Sequence, residues 1–154
     1  MSTIDALLKY KIMGLVRTND QATGQAMADA MVDAGIRAIE ITLTTPGALN
    51  IVEKLSENKD LTVGVGTVVS KKDVKESFKA GAKFIVSRNT DVDVIERTKK
   101  LRMVSMPGIA TATEVGSAIN AGADILKLFP ASTCLLYTSP SPRDYAASRM
   151  PSSA

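Results

Sequence analysis

Apolar and polar positions between residues 11 and 131 alternate between two textures. Short β-rich apolar runs occupy 11–17, 37–43, 61–67, 83–87, 102–107 and 123–129. Between them apolar residues recur at helical spacing, as Ala26, Met27, Ala30, Met31 and Ala34 do at i, i+3 and i+4. Each of the first five predicted strands is thus followed by a predicted helix. Start signals fall where this reading needs them. Asp20 and Ser70 suit N-caps, Pro46 suits a first helical turn, and Thr111-Ala112-Thr113-Glu114 reads as a capping box.

A repeat marks the helix ends. Ala34-Gly35-Ile36, Ala80-Gly81-Ala82 and Ala121-Gly122-Ala123 each stand just before a predicted strand. Glycine there takes the left-handed conformation that stops a helix and turns the chain. Three such tripeptides in matching places predict a repeated strand–helix unit. Successive strand starts are 26, 24, 22, 19 and 21 residues apart, which demands parallel strands joined by crossovers.

Two architectures compete, an open doubly wound sheet and a closed (β/α)8 TIM barrel. Strands covered by helices on both faces are apolar throughout. Here Ile39, Ile41 and Leu43 share one face of the second strand, and Glu40, Thr42 and Thr44 the other. In the sixth, Lys127 shares its face with Ile125 and Phe129, while Leu126 and Leu128 point oppositely. One apolar face and one face with a few polar groups fits a barrel lumen. Five units occupy 112 residues, so eight would need roughly 180. The expectation is an incomplete barrel of about six βα units over 1–133.

The stretch 134–154 has no helical or alternating period. Pro140, Pro142 and Pro151 lie among Ser139, Ser141, Ser152 and Ser153, a composition that buries no core. Cys134 to Asp144 resembles the conceptual translation of a sequencing-library adapter, and Ser148 to Ala154 looks like its continuation. The expectation is a non-native, disordered tail from reading through a gene interrupted near Thr133.

Composition narrows the chemistry. The chain has no His and one Cys, which excludes imidazole shuttles, His-ligated metals and an internal disulfide. The net charge of +3 is mild and no run of five like charges occurs, so nucleic acid is not an expected partner. No apolar run reaches the roughly 18–20 residues of a membrane span. The start Met1-Ser2-Thr3-Ile4-Asp5 lacks a basic, then apolar leader, so the expected compartment is the cytoplasm.

Lys127 is the leading candidate for chemistry. Long charged side chains rarely lie inside apolar strands unless paired or functional. Ile125-Leu126-Lys127-Leu128-Phe129-Pro130-Ala131 sets an amine on the lumen side near a strand's C-terminal end, where barrel enzymes build their sites. Burial between Ile125 and Phe129 is expected, and desolvation favours the neutral amine that attacks a carbonyl to form a Schiff base. A lysine paired to a carboxylate, or reaching to solvent, is the structural alternative. Glu40 shares the polar face with Thr42 and is the natural proton carrier in a chain without His. Its alternative is an ion pair with Lys127 or Arg17. Arg17 ends the first predicted strand, as a carboxylate ligand or a rim arginine. Gly64-Val65-Gly66-Thr67 lacks the third glycine and acidic partner of a dinucleotide site and the lysine of a P-loop. It reads as small residues that leave lumen space, with the Thr67 hydroxyl facing the site.

In this order and spacing, Gly35-Ile36-Arg37-Ala38-Ile39-Glu40-Ile41-Thr42-Leu43, Val63 to Thr67, Phe84 to Ser87, Pro107-Gly108 and Leu126 to Ala131 are similar to the bacterial 2-keto-3-deoxy-6-phosphogluconate (KDPG) and 2-keto-4-hydroxyglutarate (KHG) aldolase family. The similarity runs from about residue 8 to 132. It implies a homotrimeric class I aldolase on a (β/α)8 barrel, working on a small keto acid without metal or organic cofactor. Cleavage would give pyruvate with glyceraldehyde 3-phosphate or with glyoxylate. By the same resemblance Lys127 forms the Schiff base and Glu40 moves protons, with Arg17, Thr67, Phe129, Pro107 and Thr44 as the substrate-binding set. Thr44 stands where well-studied members carry an arginine, and Arg88 follows Ser87 where they carry a proline. The family's last two strands, which form its phosphate site, have no counterpart here. A chain of this extent is expected to show little or no turnover. The alternatives are another phosphate-handling barrel of epimerase type, or a non-catalytic open-sheet binding module.

Overall fold

Ser2 and Asp5 exchange bonds, the Asp5 amide donating to Ser2 Oγ and the Ser2 amide to Asp5 Oδ2, at 3.2 and 3.1 Å. This reciprocal cap starts α1 (Thr3–Tyr10), a helix that the two alternating textures do not announce. The computed structural model describes residues 2–131; the predicted tail, 134–154, lies outside the described residues. After α1 the order is β1 (Gly14–Val16), α2 (Gln21–Asp33), β2 (Ala38–Thr42), α3 (Ala48–Ser56), β3 (Thr62–Gly66) and α4 (Lys71–Lys79). There follow β4 (Phe84–Val86), α5 (Val92–Lys100), β5 (Val104–Met106), β6 (Gly108–Ile109), α6 (Ala112–Asn120) and β7 (Lys127–Leu128).

Local chemistry explains most boundaries. Asp20 accepts from the Thr23 amide and Ser70 from that of Asp73, while Thr111 and Glu114 form the expected capping box. Gly35, Gly81 and Gly122 have φ of 89°, 91° and 92°, the left-handed stops that the repeat predicts. Four expectations need correction. Lys11, at φ 57°, ends α1, so the first strand begins at Gly14 rather than at 11. Pro46 stands outside the helix it was expected to open, because Gly47, at φ 67°, is the N-cap of α3. Arg102, at φ 58°, belongs to a turn, and Pro107, which has no N–H, splits the fifth strand into β5 and β6. The sixth keeps backbone bonds from Asp124 to Phe129, but regular strand covers only Lys127–Leu128.

All described strand pairs are parallel, in the orders β1-β2-β3-β4-β5 and β6-β7. Because β5 runs on through Pro107 into β6, the lateral sequence is one arc ending in β7. The outer face of this arc meets the helices. Val16, Ile39, Ile41, Val63, Val65 and Ile85 form one buried cluster with Ala28, Ile51, Val52 and Val74. Each such aliphatic side chain contributes roughly 1.5–3 kcal/mol by leaving water.

The inner face carries a second cluster of Phe84, Val86, Val104 and Met106. Met13, just before β1, packs on it from one side, Ile125 from the other, and Ile4 and Leu7 of α1 close it from below. Met13 reaches β4 and β5 only if the sheet curls around a lumen. The arc is therefore part of a TIM barrel, as the face alternation of β2 predicts, and no described helix is long and apolar enough to cross a membrane.

Candidate active site

The polar positions of the inner face gather toward the C-terminal strand ends. Glu40 lies in the middle of β2 and is only 2% exposed. Its carboxylate lies over β3 at Gly66, where an added Cβ would collide with Glu40 Oε1. Two residues earlier, a Cβ at Gly64 would enter the Phe84 ring. The two glycines thus give up side chains so that one aromatic ring and one carboxylate can occupy the lumen.

Thr67 follows β3 at φ 60°. A β-branched residue in the left-handed region costs about 1–3 kcal/mol, and such strain concentrates where a side chain must be aimed. Its hydroxyl accepts from Arg17 Nη2 at 3.3 Å. Arg17 lies just beyond β1 at the exposed rim. Beside it a chain of hydroxyls ties β1 to β2. Thr42 Oγ1 donates to the Val16 carbonyl at 3.2 Å, lies 3.0 Å from Thr44 Oγ1 and 3.3 Å from Thr45 Oγ1, and Thr45 accepts from the Thr18 amide. Thr44 itself is exposed.

Lys127 opens β7. Ile125 packs on the inner cluster, whereas Leu126 packs on Ile95, Ile109 and Ala118 under α6. Alternation then turns Lys127 inward, and its Nζ sits 5.2 Å from the centre of the Phe129 ring. Lys127 is half-buried rather than buried as expected, because among the described residues β7 has a strand neighbour on one edge only. Pro107 is buried on the helix side of the arc, and its carbonyl accepts the Lys127 amide at 2.9 Å.

Arg17, Thr67 and Glu40 thus cluster on β1–β3, and Lys127 and Phe129 on β7. The groups are three to five strand positions apart, roughly 14–24 Å around the arc, on the same inward face. A cleft of about 640 Å³ lies at the other end, lined by residues including Tyr10, Arg37, Lys59 and Lys83. Barrel chemistry belongs to the C-terminal end, so the cleft is not the candidate site. Among the described residues no group of three or more Cys, Asp or Glu could hold a metal ion.

The sequence model of the KDPG and KHG aldolases matches residues 4–135. The chain belongs to this family. It is 31% identical over 132 residues to the 2-dehydro-3-deoxy-phosphogluconate aldolase of Zymomonas mobilis, covering 85% of this chain and 64% of that protein. It is 34% identical over 128 residues to the 2-dehydro-3-deoxy-6-phosphogalactonate aldolase of Escherichia coli K12, covering 80% and 62%. The chain therefore spans less than two thirds of either aldolase. The crystal structure of the Zymomonas mobilis KDPG aldolase with 3-phosphoglycerate superposes with a TM-score of 0.78 at 28% identity, over 94% of this chain and 68% of that one.

Asp124, at the start of the sixth predicted strand, is a residue that sequence reasoning misses: its carboxylate accepts from Lys99 Nζ and from the Ser105 amide. The signal available was an acidic residue at the start of an otherwise apolar strand, three positions before Lys127.

Proposed function

We propose that this KDPG/KHG aldolase-family chain carries the Schiff-base half-site of an enzyme that cleaves a 2-keto-3-deoxy sugar-acid phosphate, or 4-hydroxy-2-oxoglutarate, to pyruvate and an aldehyde. Lys127 Nζ adds to the C2 carbonyl of the keto acid, and the resulting carbinolamine loses water to give an iminium. A base takes the C4 hydroxyl proton, the C3–C4 bond breaks, and its electron pair moves into the iminium to leave an enamine. The aldehyde departs, C3 takes a proton, and hydrolysis releases pyruvate and regenerates the amine. Glu40 is the proton carrier, and its burial keeps it from exchanging protons freely with bulk water. Arg17 and Thr67 hold the carboxylate, Phe129 lines the pocket beside the amine, Pro107 fixes the backbone of Lys127, and Thr44 sets the rim.

One observation supports this reading above the rest. Lys127 shares its inward face with Ile125, and that same lumen holds the buried carboxylate of Glu40. A salt-bridged surface lysine would need no such placement. The whole protein is proposed to act as a cytoplasmic homotrimer, with residues 1–133 as the barrel portion and 134–154 as a non-native tail.

Incubation with pyruvate and borohydride tests the amine directly, since trapping needs no phosphate site. Mass spectrometry is expected to find the reduced pyruvyl adduct on Lys127 and none at that position in Lys127→Ala. Even labelling across many lysines, or none at Lys127, overturns the proposal.

A further inference from the structure

We infer that Asp124 and Lys99 set the register of β7, and through it the aim of the Lys127 amine; the catalytic consequence rests on the function proposed above. Lys99, in the last turn of α5, reaches both Asp124 oxygens at 2.6 and 2.7 Å. Asp124 Oδ2 also accepts the Ser105 amide of β5 at 2.8 Å. The Ser105 carbonyl takes the Asp124 and Ile125 amides at 3.0 and 3.2 Å, so both backbone groups of Ser105 face the β7 side. The first rung of this ladder is thus closed by a side chain. Ser105 is 2% exposed, and without the carboxylate its N–H is a buried donor lacking that acceptor.

The register needs such a pin because little else specifies it. The next rungs, Lys127 N–H to the Pro107 carbonyl and Phe129 N–H to the Ile109 carbonyl, recur every two residues and survive a two-residue slip. Side chains discriminate weakly, because Ile125 and Phe129 on one face and Leu126 and Leu128 on the other are both apolar. The partner of Lys127 in β6 is Gly108, which offers no side chain to lock against. A slip of one residue turns Lys127 outward, and a slip of two moves it roughly 6.6 Å along the barrel axis. The carboxylate excludes both, because only one register brings it to the Ser105 amide and to Lys99. These are positioning residues, since the network described involves Ser105, Lys99 and backbone rather than the lumen.

The experiment uses the full 154-residue chain, with amide exchange and pyruvate–borohydride labelling measured side by side. In Asp124→Ala, exchange at the Lys127 and Phe129 amides is expected to rise about tenfold or more, the loss of one charge-assisted hydrogen bond, while β3 amides keep their protection. Labelling at Lys127 is expected to fall about tenfold in maximal rate, with the half-saturating pyruvate concentration unchanged. Asp124→Asn keeps an acceptor for Ser105 and is expected to restore most of both. Wild-type exchange at Lys127 and Phe129 in Asp124→Ala overturns the inference, whatever labelling does. Should Asp124→Ala lose β3 protection as well, Lys99→Met carries the test, with about threefold faster exchange confined to β7 expected and wild-type exchange overturning it. Absence of labelling in the wild type removes the proposed function, and exchange still decides the clamp.

Discussion

Adding one methyl group at two neighbouring inward positions of β3 separates a structural role from a chemical one. Neither Gly64 nor Gly66 has a positive φ, so alanine meets no backbone strain at either and the outcome depends on space. In Gly64→Ala the new Cβ enters the ring of Phe84, which is fully buried among Val86, Val104 and Met106. A buried ring has nowhere to turn, so the cost lies toward the upper end of the roughly 1–3 kcal/mol typical of overpacking. At about 4 °C per kcal/mol for a chain of this size, that is a Tm lower by roughly 8–12 °C.

In Gly66→Ala the colliding atoms are the carboxylate end of Glu40 and, behind it, Cδ and Cγ. The end of a flexible side chain can swing away, and a displacement of roughly 1.5 Å relieves the contact. Stability should then fall by only about 1 kcal/mol. The carboxylate proposed as the proton carrier is however misplaced, and an error of that size would cost on the order of 100-fold in rate. Thermal melts and the rate of pyruvate–borohydride trapping read the two effects separately. Gly64→Ala is expected to melt early yet label well below its Tm, whereas Gly66→Ala melts nearly as wild type and labels slowly. Equal melting losses with unimpaired labelling in both would refute the assignment of Gly66 to Glu40.

Other outcomes follow from local geometry. At Thr67, glycine relieves the left-handed strain that alanine keeps, so Thr67→Gly is expected to melt at or above Thr67→Ala, although glycine elsewhere costs roughly 1 kcal/mol; both lose the Arg17 contact, and pyruvate should bind each more weakly. Bonds from the Ala110 amide first, then from the Thr111 hydroxyl and amide, hold the Glu114 carboxyl below the ordinary glutamate range. A lowered folded pKa means the cap stabilises α6 fully above the unfolded value and is lost as pH falls through the lower one. An NMR titration should place the Glu114 midpoint below that of a model peptide, with exchange at the Ala110 and Thr111 amides quickening only there; a midpoint at the peptide value counts against the cap. Thr111→Ala removes the other half of this box and should cost about 1 kcal/mol in urea unfolding, concentrated in α6.

The barrel and the inward face of Lys127 were legible because both follow from period. Side chains two apart share a face, and the run Glu40, Thr42, Thr44 against Ile39, Ile41, Leu43 shows which face is wet. The glycine stops at 35, 81 and 122 were legible for a different reason, since few other residues take that conformation. What escaped was decided by neighbours distant in sequence. Helix α1 contributes Ile4 and Leu7 to the inner cluster, too few positions for a period, although Ser2 and Asp5 carried a cap signal. The break at Pro107 was visible as a proline, but its consequence, that β5 pairs with β4 while β6 pairs with β7, depends on the arc. Lys127 is less buried than its apolar neighbours in sequence suggest, because exposure is set by what lies across the strand edge.

The position of the carboxylate shows why this lumen could become a site. An inner face of a barrel is normally filled by branched side chains in layers, and a charge there is costly unless it is paired. Here β3 contributes two glycines to that face, opening volume beside β2 and β4 at once. Phe84 takes the lower share and packs in the inner cluster, which α1 covers through Ile4 and Leu7. Glu40 takes the upper share, near the strand ends, where Thr67 and Arg17 supply polar neighbours. Filling Gly66 with a larger apolar residue would make a better core and abolish the place where the acid stands. The sequence Val63-Gly64-Val65-Gly66-Thr67 is therefore best understood as packing sacrificed in alternate positions, with the valines still serving the outer core.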